Sequence, residues 1–351
     1  MKIKNSHGRI LTKILLVLLV LALVVCGLAY GIFRYYFGKM KRFDDQIKRE
    51  TVSTLEGTEE DESVDPALET LSQEDESKQL EDKADNLLSS NDVFNILLIG
   101  CDSRTAGGWG RSDSMMVLSI NNKSKKVSLT SLMRDIYLQI PGHGSNRLNA
   151  SFAFGGESLL KQVIQNYFGI TINRCVEVDF VSFTKVFEVL GGVEVELSEA
   201  EIKYMNENGA GLTDKGPGTY HLDGAQALTY SRARHLAGGD FERTRRQRTV
   251  FTSLKNSAKN LSIPELKGLL DEVLPLLTTD LTEGECLSLL VNAPSYMNDY
   301  DFSAHRVPYG NTGYSARAGK KSIIAIDFSK NRDYLQKLIY EPEEFEKSYN
   351  E

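Results

Sequence analysis

The sequence predicts an α/β fold, a three-layer α-β-α sandwich around a mixed central β-sheet, and three features of the chain predict it. Short apolar runs bounded by turn residues recur at residues 95–100 (NILLIG), 115–120 (MMVLSI) and 127–132 (VSLTSL), the pattern of strands buried on both faces. Residues 193–197 (VEVEL) alternate instead, which puts Glu194 and Glu196 on a solvated face. Stretches with helical spacing lie between and after these runs, at residues 158–168, 224–230, 244–259, 264–277 and 329–339. No repeat of a solenoid or propeller shows, and no linker follows Val93. Residues 93–340 therefore read as one domain and residues 341–351 as a tail.

The front of the chain has a different texture. Residues 14–33 (ILLVLLVLALVVCGLAYGIF) carry no charge, and about 20 such residues cross a hydrocarbon core of about 30 Å. This run exceeds the core of a secretory leader, is followed by no A-x-A-like site, and has Val24 and Val25 before Cys26 where lipidation needs a small residue. It reads as one uncleaved transmembrane helix after a short tail of residues 1–13. Basic residues flank it almost evenly, Lys2, Lys4, Arg9 and Lys13 before and Arg34, Lys39, Lys41 and Arg42 after, so charge alone does not orient it.

Residues 34–92 read as a flexible stalk, because residues 43–92 hold seventeen acidic against four basic side chains and little to bury. That segment supplies most of the net charge of −7, which leaves the globular part near neutral and without a broad basic face for nucleic acid. Cys26, Cys101, Cys175 and Cys286 show no metal-binding spacing and allow at most one disulfide, with a Cys101–Cys175 pairing left open.

Three segments carry chemistry. Gly100-Cys101-Asp102-Ser103-Arg104 and Arg111-Ser112-Asp113-Ser114 set one aspartate just past a buried strand and another at the start of the next, so both carboxylates reach one edge of the sheet. Such a pair suits Mg²⁺ bridged to a pyrophosphate, since Mg²⁺ takes one or two carboxylates together with waters and phosphate oxygens. It equally suits turn caps or ion pairs with Arg104 or Arg111. Leu132-Met133-Arg134-Asp135 ends another buried strand at the same edge, with Arg134 facing either a ligand or Asp135 or Asp102.

The third segment is the richest, with six arginines in the seventeen residues 232–248. On a helix over 244–259, Arg243, Gln247, Val250 and Leu254 share one arc, with Arg245, Arg248, Thr252 and Lys255 opposite. An arginine on a core-facing arc at a helix start points to an anion, because free N–H groups, the dipole and a forked guanidinium all favour phosphate there. A solvated face or a nucleic-acid patch is the bland alternative, and the inward arc opposes both. His235 stands beside arginines as a possible general base or a structural histidine. No phosphate-binding P-loop, G-x-G-x-x-G, zinc or Ser-His-Asp pattern is present, so ATP and NAD chemistry is unsupported.

Taken in order, these blocks resemble the LytR-CpsA-Psr family: G-C-D-S-R at 100–104, R-S-D-S-M-M at 111–116, S-L-M-R-D at 131–135, R-L-N-A-S-F-A-F-G-G at 147–156, D-F-V-S-F at 179–183 with L-G-G-V at 190–193, and Y-S-R-A-R-H with G-D-F-E-R-T-R-R-Q over 230–247. The resemblance implies a phosphotransferase outside the cell that moves a glycan phosphate, from a teichoic acid, capsule or similar polymer, off a polyprenyl (undecaprenyl) pyrophosphate carrier onto peptidoglycan. It implies a single-pass type II membrane protein with a cytoplasmic tail of residues 1–13, no nucleic-acid partner, and Mg²⁺ or Mn²⁺ on Asp102 and Asp113. The pyrophosphate set it implies is Arg104, Arg111, Arg134, Arg147, Arg232, Arg234, Arg243 and Gln247, with Asp102, Arg111, Asp135, Arg232 and Arg234 as the catalytic group and Asp102 or Asp135 taking the hydroxyl proton.

The chain departs from the family pattern at Cys101, where a small residue is usual, and at Leu132-Met133, where Ile-Pro is usual. Helices 158–168 and 244–259 are expected to wall an apolar groove for the lipid. A hydrolase that gives the glycan phosphate to water, a non-catalytic glycolipid-binding module and a transcription attenuator are the competing readings. The last would need a DNA-binding segment that the thirteen residues before the apolar run do not supply.

Overall fold

A computed structural model describes residues 30–43, 69–101, 112–213, 215–233, 236–258 and 263–349. A mixed seven-stranded sheet forms its centre, built from β1 (Lys41–Arg42), β3 (Val93–Cys101), β4 (Ser112–Asn121), β5 (Lys126–Leu132), β8 (Arg174–Asp179), β11 (Thr278–Thr279) and β12 (Asp301–Val307) in the order β1-β11-β8-β3-β4-β5-β12. β3 runs antiparallel to β4 and parallel to β8, and β12 runs parallel to β5. Three short sheets surround it: β2 (Glu69–Thr70) with β13 (Gly313–Ala318) and β14 (Lys321–Ile326), β6 (Tyr137–Ile140) with β7 (Gly144–Arg147), and β9 (Val193–Leu197) with β10 (Gly218–Leu222).

Helices cover both faces of the central sheet, and the alternation of side chains along β3 and β4 decides which residue goes where. Leu97, Ile99, Met115 and Val117 are buried in one core with α3 (Leu148–Phe168) and α10 (Phe328–Tyr340). Leu98 and Met116 point the other way, toward α4 (Phe180–Val189) and α7 (Gly239–Ala258). A second core joins α4, α5 (Glu199–Glu207), α6 (Gly224–Arg232) and α7 to the inward residues of β9, where Glu194 and Glu196 do face solvent. α4 and α6 pack closely enough that a β-carbon on Gly224 would meet the carbonyl oxygen of Thr184, which is why that position is glycine.

Several expectations change. Residues 264–277 do not form one helix: α8 (Ile263–Gly268) gives way to a π-turn and a 3₁₀ turn ending at Leu276, where Pro275 cannot donate to the ladder. β8 and β12 escaped the apolar-run reading, as did α9 (Glu283–Asn298). The stalk is shorter than composition suggests, since β2 pairs with Ala316 and Arg317, α2 (Gln73–Glu81) accepts a 2.8 Å hydrogen bond from Tyr137 at Glu76, and Leu88 bridges to Ile170. Backbone pairing holds residues 69–92, together with Leu71 and Leu80, which pack against the small core of Tyr137, Ala316, Ile323 and Ala325. The expected tail is likewise folded, as α11 (Pro342–Tyr349) packs Phe345 against Tyr334 and His305.

Of the expected transmembrane run, only residues 30–33 lie among those described, in helix α1, which is described over residues 30–37. Among the described residues no helix is long and apolar enough to cross a membrane. Cys101 and Cys175 do not pair. β3 and β8 align Leu97 with Cys175 and Cys101 with Asp179, so the cysteines stand four positions apart along the strands, about 13 Å, when a disulfide spans at most about 7 Å. Burial pushes the Cys175 thiol up to about 12, with the carboxylate of Asp280 adding to the effect. Iodoacetamide at pH 8 should leave Cys175 unmodified in the folded protein and label it on unfolding; a disulfide-linked 101–175 peptide pair by mass spectrometry would contradict this.

Candidate active site

β3, β4 and β5 end at one edge of the central sheet, and the antiparallel β3–β4 register breaks there, between Gly100 and Cys101. The irregularity sets Asp113 at the rim, since a bulge re-aims the side chains beside it. Arg134 follows β5 by two residues and its Nη1 donates to Asp113 Oδ1 at 2.6 Å. Its Nε lies 3.5 Å from Asp135 Oδ2 and 3.5 Å from Asp240 Oδ1, so three carboxylates surround one guanidinium. Burial disfavours the charge on Arg134, but Asp135, Asp240 and Asp113 outweigh it and push its pKa up. Arg134 is therefore a fixed cation. The ion pair with Asp135 anticipated from sequence is present, joined by two that were not.

α7 starts at Gly239, so Arg243 lies in its second turn rather than its first. Its side chain is only 2% exposed, with Nη2 2.7 Å from Asp240 Oδ1 and Nη1 3.9 Å from Asp113 Oδ1. Arg147, at the end of β7, reaches Asp135 at 3.5 Å. Sequence reasoning missed Asp240, although an acidic residue in the first turn, three before an inward arginine, is the signal that could have found it. Arg246 is not part of the cluster: it turns to Glu201 at 2.8 Å and to the Ala233 carbonyl at 3.2 Å, beneath α5 and α6.

A cavity of about 230 Å³ opens beside this cluster. Its floor is Leu98, Met116 and Val178, and its walls are Phe183, Val186 and Phe187 of α4 with Val250, Phe251 and Leu254 of α7. α7 is thus a wall as expected, whereas α3 lies across the sheet and α4 takes the place assigned to residues 158–168. The polar end is formed by Asp113, Asp179, Arg232, Arg243 and Gln247. Arg232, the last residue of α6, stays exposed with its guanidinium 4.5 Å over the Phe180 ring, and Asp179 caps α4 by accepting from Ser182 N at 2.7 Å.

Arg134, Arg147, Arg232, Arg243, Gln247, Asp113 and Asp135 therefore converge on one sheet edge, although Arg134, Asp135 and Arg147 do not line the cavity and Arg134 meets it through Asp113. Asp102, Arg104, Arg111, Arg234 and His235 lie outside the described residues. Such an arrangement can hold an amphiphile by its tail and bind an anionic head with arginines already oriented by carboxylates.

The family model for LytR_cpsA_psr matches residues 57–323. The chain belongs to the LytR-CpsA-Psr family. Among curated members it is similar to the polyisoprenyl-teichoic acid–peptidoglycan teichoic acid transferase TagU of Enterococcus faecalis, 34% identical over 56% of this chain and 64% of that protein. It is also similar to the regulatory protein MsrR of Staphylococcus aureus, 36% identical over 50% of this chain and 54% of that one. The chain thus spans less than two thirds of the length of either relative. Among solved LytR-CpsA-Psr structures, the family protein YwtF (TagT) with bound octaprenyl pyrophosphate lipid superposes with a TM-score of 0.56 at 24% identity, over 75% of this chain and 96% of that one. At that identity the likeness speaks for the fold, an α/β architecture around a mixed sheet.

Proposed function

We propose that this chain moves a glycan phosphate, from a teichoic acid or similar polymer, off a polyprenyl pyrophosphate carrier onto peptidoglycan. The observation that carries the reading is the apolar cavity between α4 and α7 closing on Arg243, Arg232, Gln247 and Asp113. A prenyl chain fits the apolar part and a pyrophosphate the arginine end, which is the two-part chemistry of the carrier. The teichoic acid transferase among the relatives and the octaprenyl pyrophosphate on the structural neighbour support the same choice.

In this reading an acceptor hydroxyl oxygen attacks the glycan-side phosphorus, the anhydride P–O bond breaks, and polyprenyl phosphate leaves with the bonding electrons. Arg243, Arg134 and Arg232 stabilise charge on the phosphoryl oxygens, a role suited to guanidiniums held in place before substrate arrives. The family resemblance assigns the same role to Arg104, Arg111 and Arg234, which lie outside the described residues. Asp135 is turned to Arg134 and Arg147, which leaves Asp102 as the proton acceptor and makes Asp135 a positioning residue.

Asp113 is a fitting ligand for Mg²⁺ or Mn²⁺, a rim carboxylate lining the polar end of the cavity, and the second carboxylate proposed for the ion, Asp102, lies outside the described residues. Among the described residues no cluster of three metal-ligating side chains occurs, and an ion shared with a pyrophosphate needs only one or two. Bound there, the ion would neutralise charge on the pyrophosphate. Residues 14–33 anchor the protein with its N-terminus inside and the domain outside the cell.

A cavity that grips the lipid makes affinity depend on chain length. Replacing Phe251 by aspartate in the full-length protein should raise KM for an undecaprenyl-length donor by about tenfold or more, since burying one aromatic side chain is worth roughly 1.5–3 kcal/mol. A donor with two prenyl units should respond little. Equal loss with both donors would remove the lipid from the cavity.

A further inference from the structure

α7 carries cations on two sides. Arg243 and Gln247 face the cavity, whereas Arg248, placed by sequence on the opposite arc, is turned toward the end of β12. There Arg306 stacks its guanidinium 4.6 Å above the Phe241 ring and donates from Nε to the Pro308 carbonyl at 3.0 Å. Arg248 Nη1 is buried and meets no hydrogen-bond acceptor among the described residues. Glu242, whose charge reaches both arginines, is held by Arg245 Nε at 2.5 Å. His305 completes the group, with Nδ1 2.8 Å from the Tyr334 hydroxyl and a buried Nε2 that meets no partner among the described residues.

Two guanidiniums close enough to repel one another, in a half-buried site whose nearest carboxylate among the described residues, Glu242, is shared with Arg245, cost stability unless a further anion completes them. Burial, then Arg306 and Arg245, pushes the pKa of Arg248 down to about 10, and burial with Arg248 pushes His305 down to about 4, so the histidine is neutral. Position completes the argument. β12 pairs with β5 so that Arg306 stands beside Ser131 and Val307 beside Leu132, two residues short of Arg134. Arg306 thus lies at the same sheet edge as Arg134, one strand farther from the cavity, whose floor is on β3, β4 and β8. In the proposed donor pose, with the lipid in the cavity and the pyrophosphate at Arg243, the glycan runs along this edge past Arg134 toward Arg248 and Arg306.

We propose that Arg248 and Arg306 form a second anion subsite, which takes a phosphate carried by the glycan itself, beyond the pyrophosphate. The subsite rests on the transferase reading through the direction in which the donor lies. It makes the protein selective for phosphorylated wall polymers over neutral ones.

The experiment is equilibrium binding to the full-length protein in detergent micelles, with two synthetic polyprenyl pyrophosphate disaccharides that differ by one glycerol phosphate on the outer sugar. Wild type should bind the phosphorylated donor about tenfold more tightly, as a charge-assisted pair of arginine contacts provides. Arg248→Gln and Arg306→Gln should bind both donors alike, at the wild-type affinity for the unphosphorylated one. Arg248→Gln should also melt no lower than wild type, because it removes a partly buried charge that Arg306 and Arg245 repel.

Wild-type binding that ignores the extra phosphate overturns the subsite and leaves the transferase reading standing. Failure to bind either donor overturns both. A melting temperature lowered by several degrees in Arg248→Gln would show a structural pair and end the proposal, as would variants that lose affinity for a peptidoglycan fragment and keep the preference between donors.

Discussion

Replacing Arg243 by alanine should lower kcat/KM for donor turnover by about three orders of magnitude, the scale of other arginines that stabilise a transferring phosphoryl group. The expectation rests on its place, since Arg243 is the buried side chain that touches both Asp240 and the rim carboxylate of Asp113 while lining the cavity. Removing it takes away the phosphate contact and leaves two carboxylates to approach each other. Arg243→Lys tests the geometry separately. It keeps the charge but not the fork, so it should fold as wild type and recover less than about a tenth of the lost activity. A fully active lysine variant would reduce the site to a point charge and undo the bidentate reading.

The second large effect falls on stability. Arg246→Ala should destabilise the protein by roughly 1.5–3 kcal/mol, because it removes the buried, shorter of two arginine contacts to a buried carboxylate and leaves Glu201 the half-exposed Arg245 at 3.3 Å. Glu201 and Arg246 are only 6% and 3% exposed and meet at 2.8 Å, and Glu201 also closes the capping box that starts α5. Burial opposes the charge of Glu201, yet the backbone N–H of Ser198, Arg246 and the Ser198 hydroxyl outweigh it and hold its pKa below the usual carboxylate range.

The sign follows from linkage. Near pH 4 the unfolded chain binds more protons than the folded one, so the contribution is complete above the unfolded value of about 4.3 and is lost as pH falls through the lower folded value. The melting-temperature gap between wild type and Arg246→Ala should be wide at pH 7 and narrow in acid. A gap that stays constant with pH would show that lost packing, not the ion pair, carries the effect. Activity per folded molecule should change little, which separates Arg246 from its neighbour Arg243.

That contrast shows where the sequence was legible. β3, β4 and β5 could be read because both faces are buried and their runs at 95–100, 115–120 and 127–132 hold no charged residue, and β9 because one face is wet and its glutamates alternate. β8 is equally central yet hidden, since Arg174, Glu177 and Asp179 find partners there and break the apolar run: Arg174 with Glu285, Glu177 with Cys101, and Asp179 as the cap of α4. The helical arc of Arg243 and Gln247 was readable because one side of α7 faces the cavity. Arg246 and Arg248 were not, because α7 is covered on other sides too, by α5 and α6 and by β12, and a helical wheel does not show what covers a second face. The acidic count over residues 43–92 misjudged residues 69–92 for a related reason, as strand pairing and carbonyl contacts leave little trace in composition.

The most direct measurement of the central claim follows the phosphorus. Full-length protein in detergent micelles would be given a polyprenyl pyrophosphate disaccharide ³²P-labelled at the glycan-side phosphate, together with peptidoglycan and Mg²⁺ or EDTA, beside Asp113→Ala. Label should appear on peptidoglycan as unlabelled polyprenyl monophosphate is released, only with Mg²⁺ and not in the variant. Label released as free glycan phosphate whether or not peptidoglycan is present, or donor bound and never cleaved, would contradict that claim.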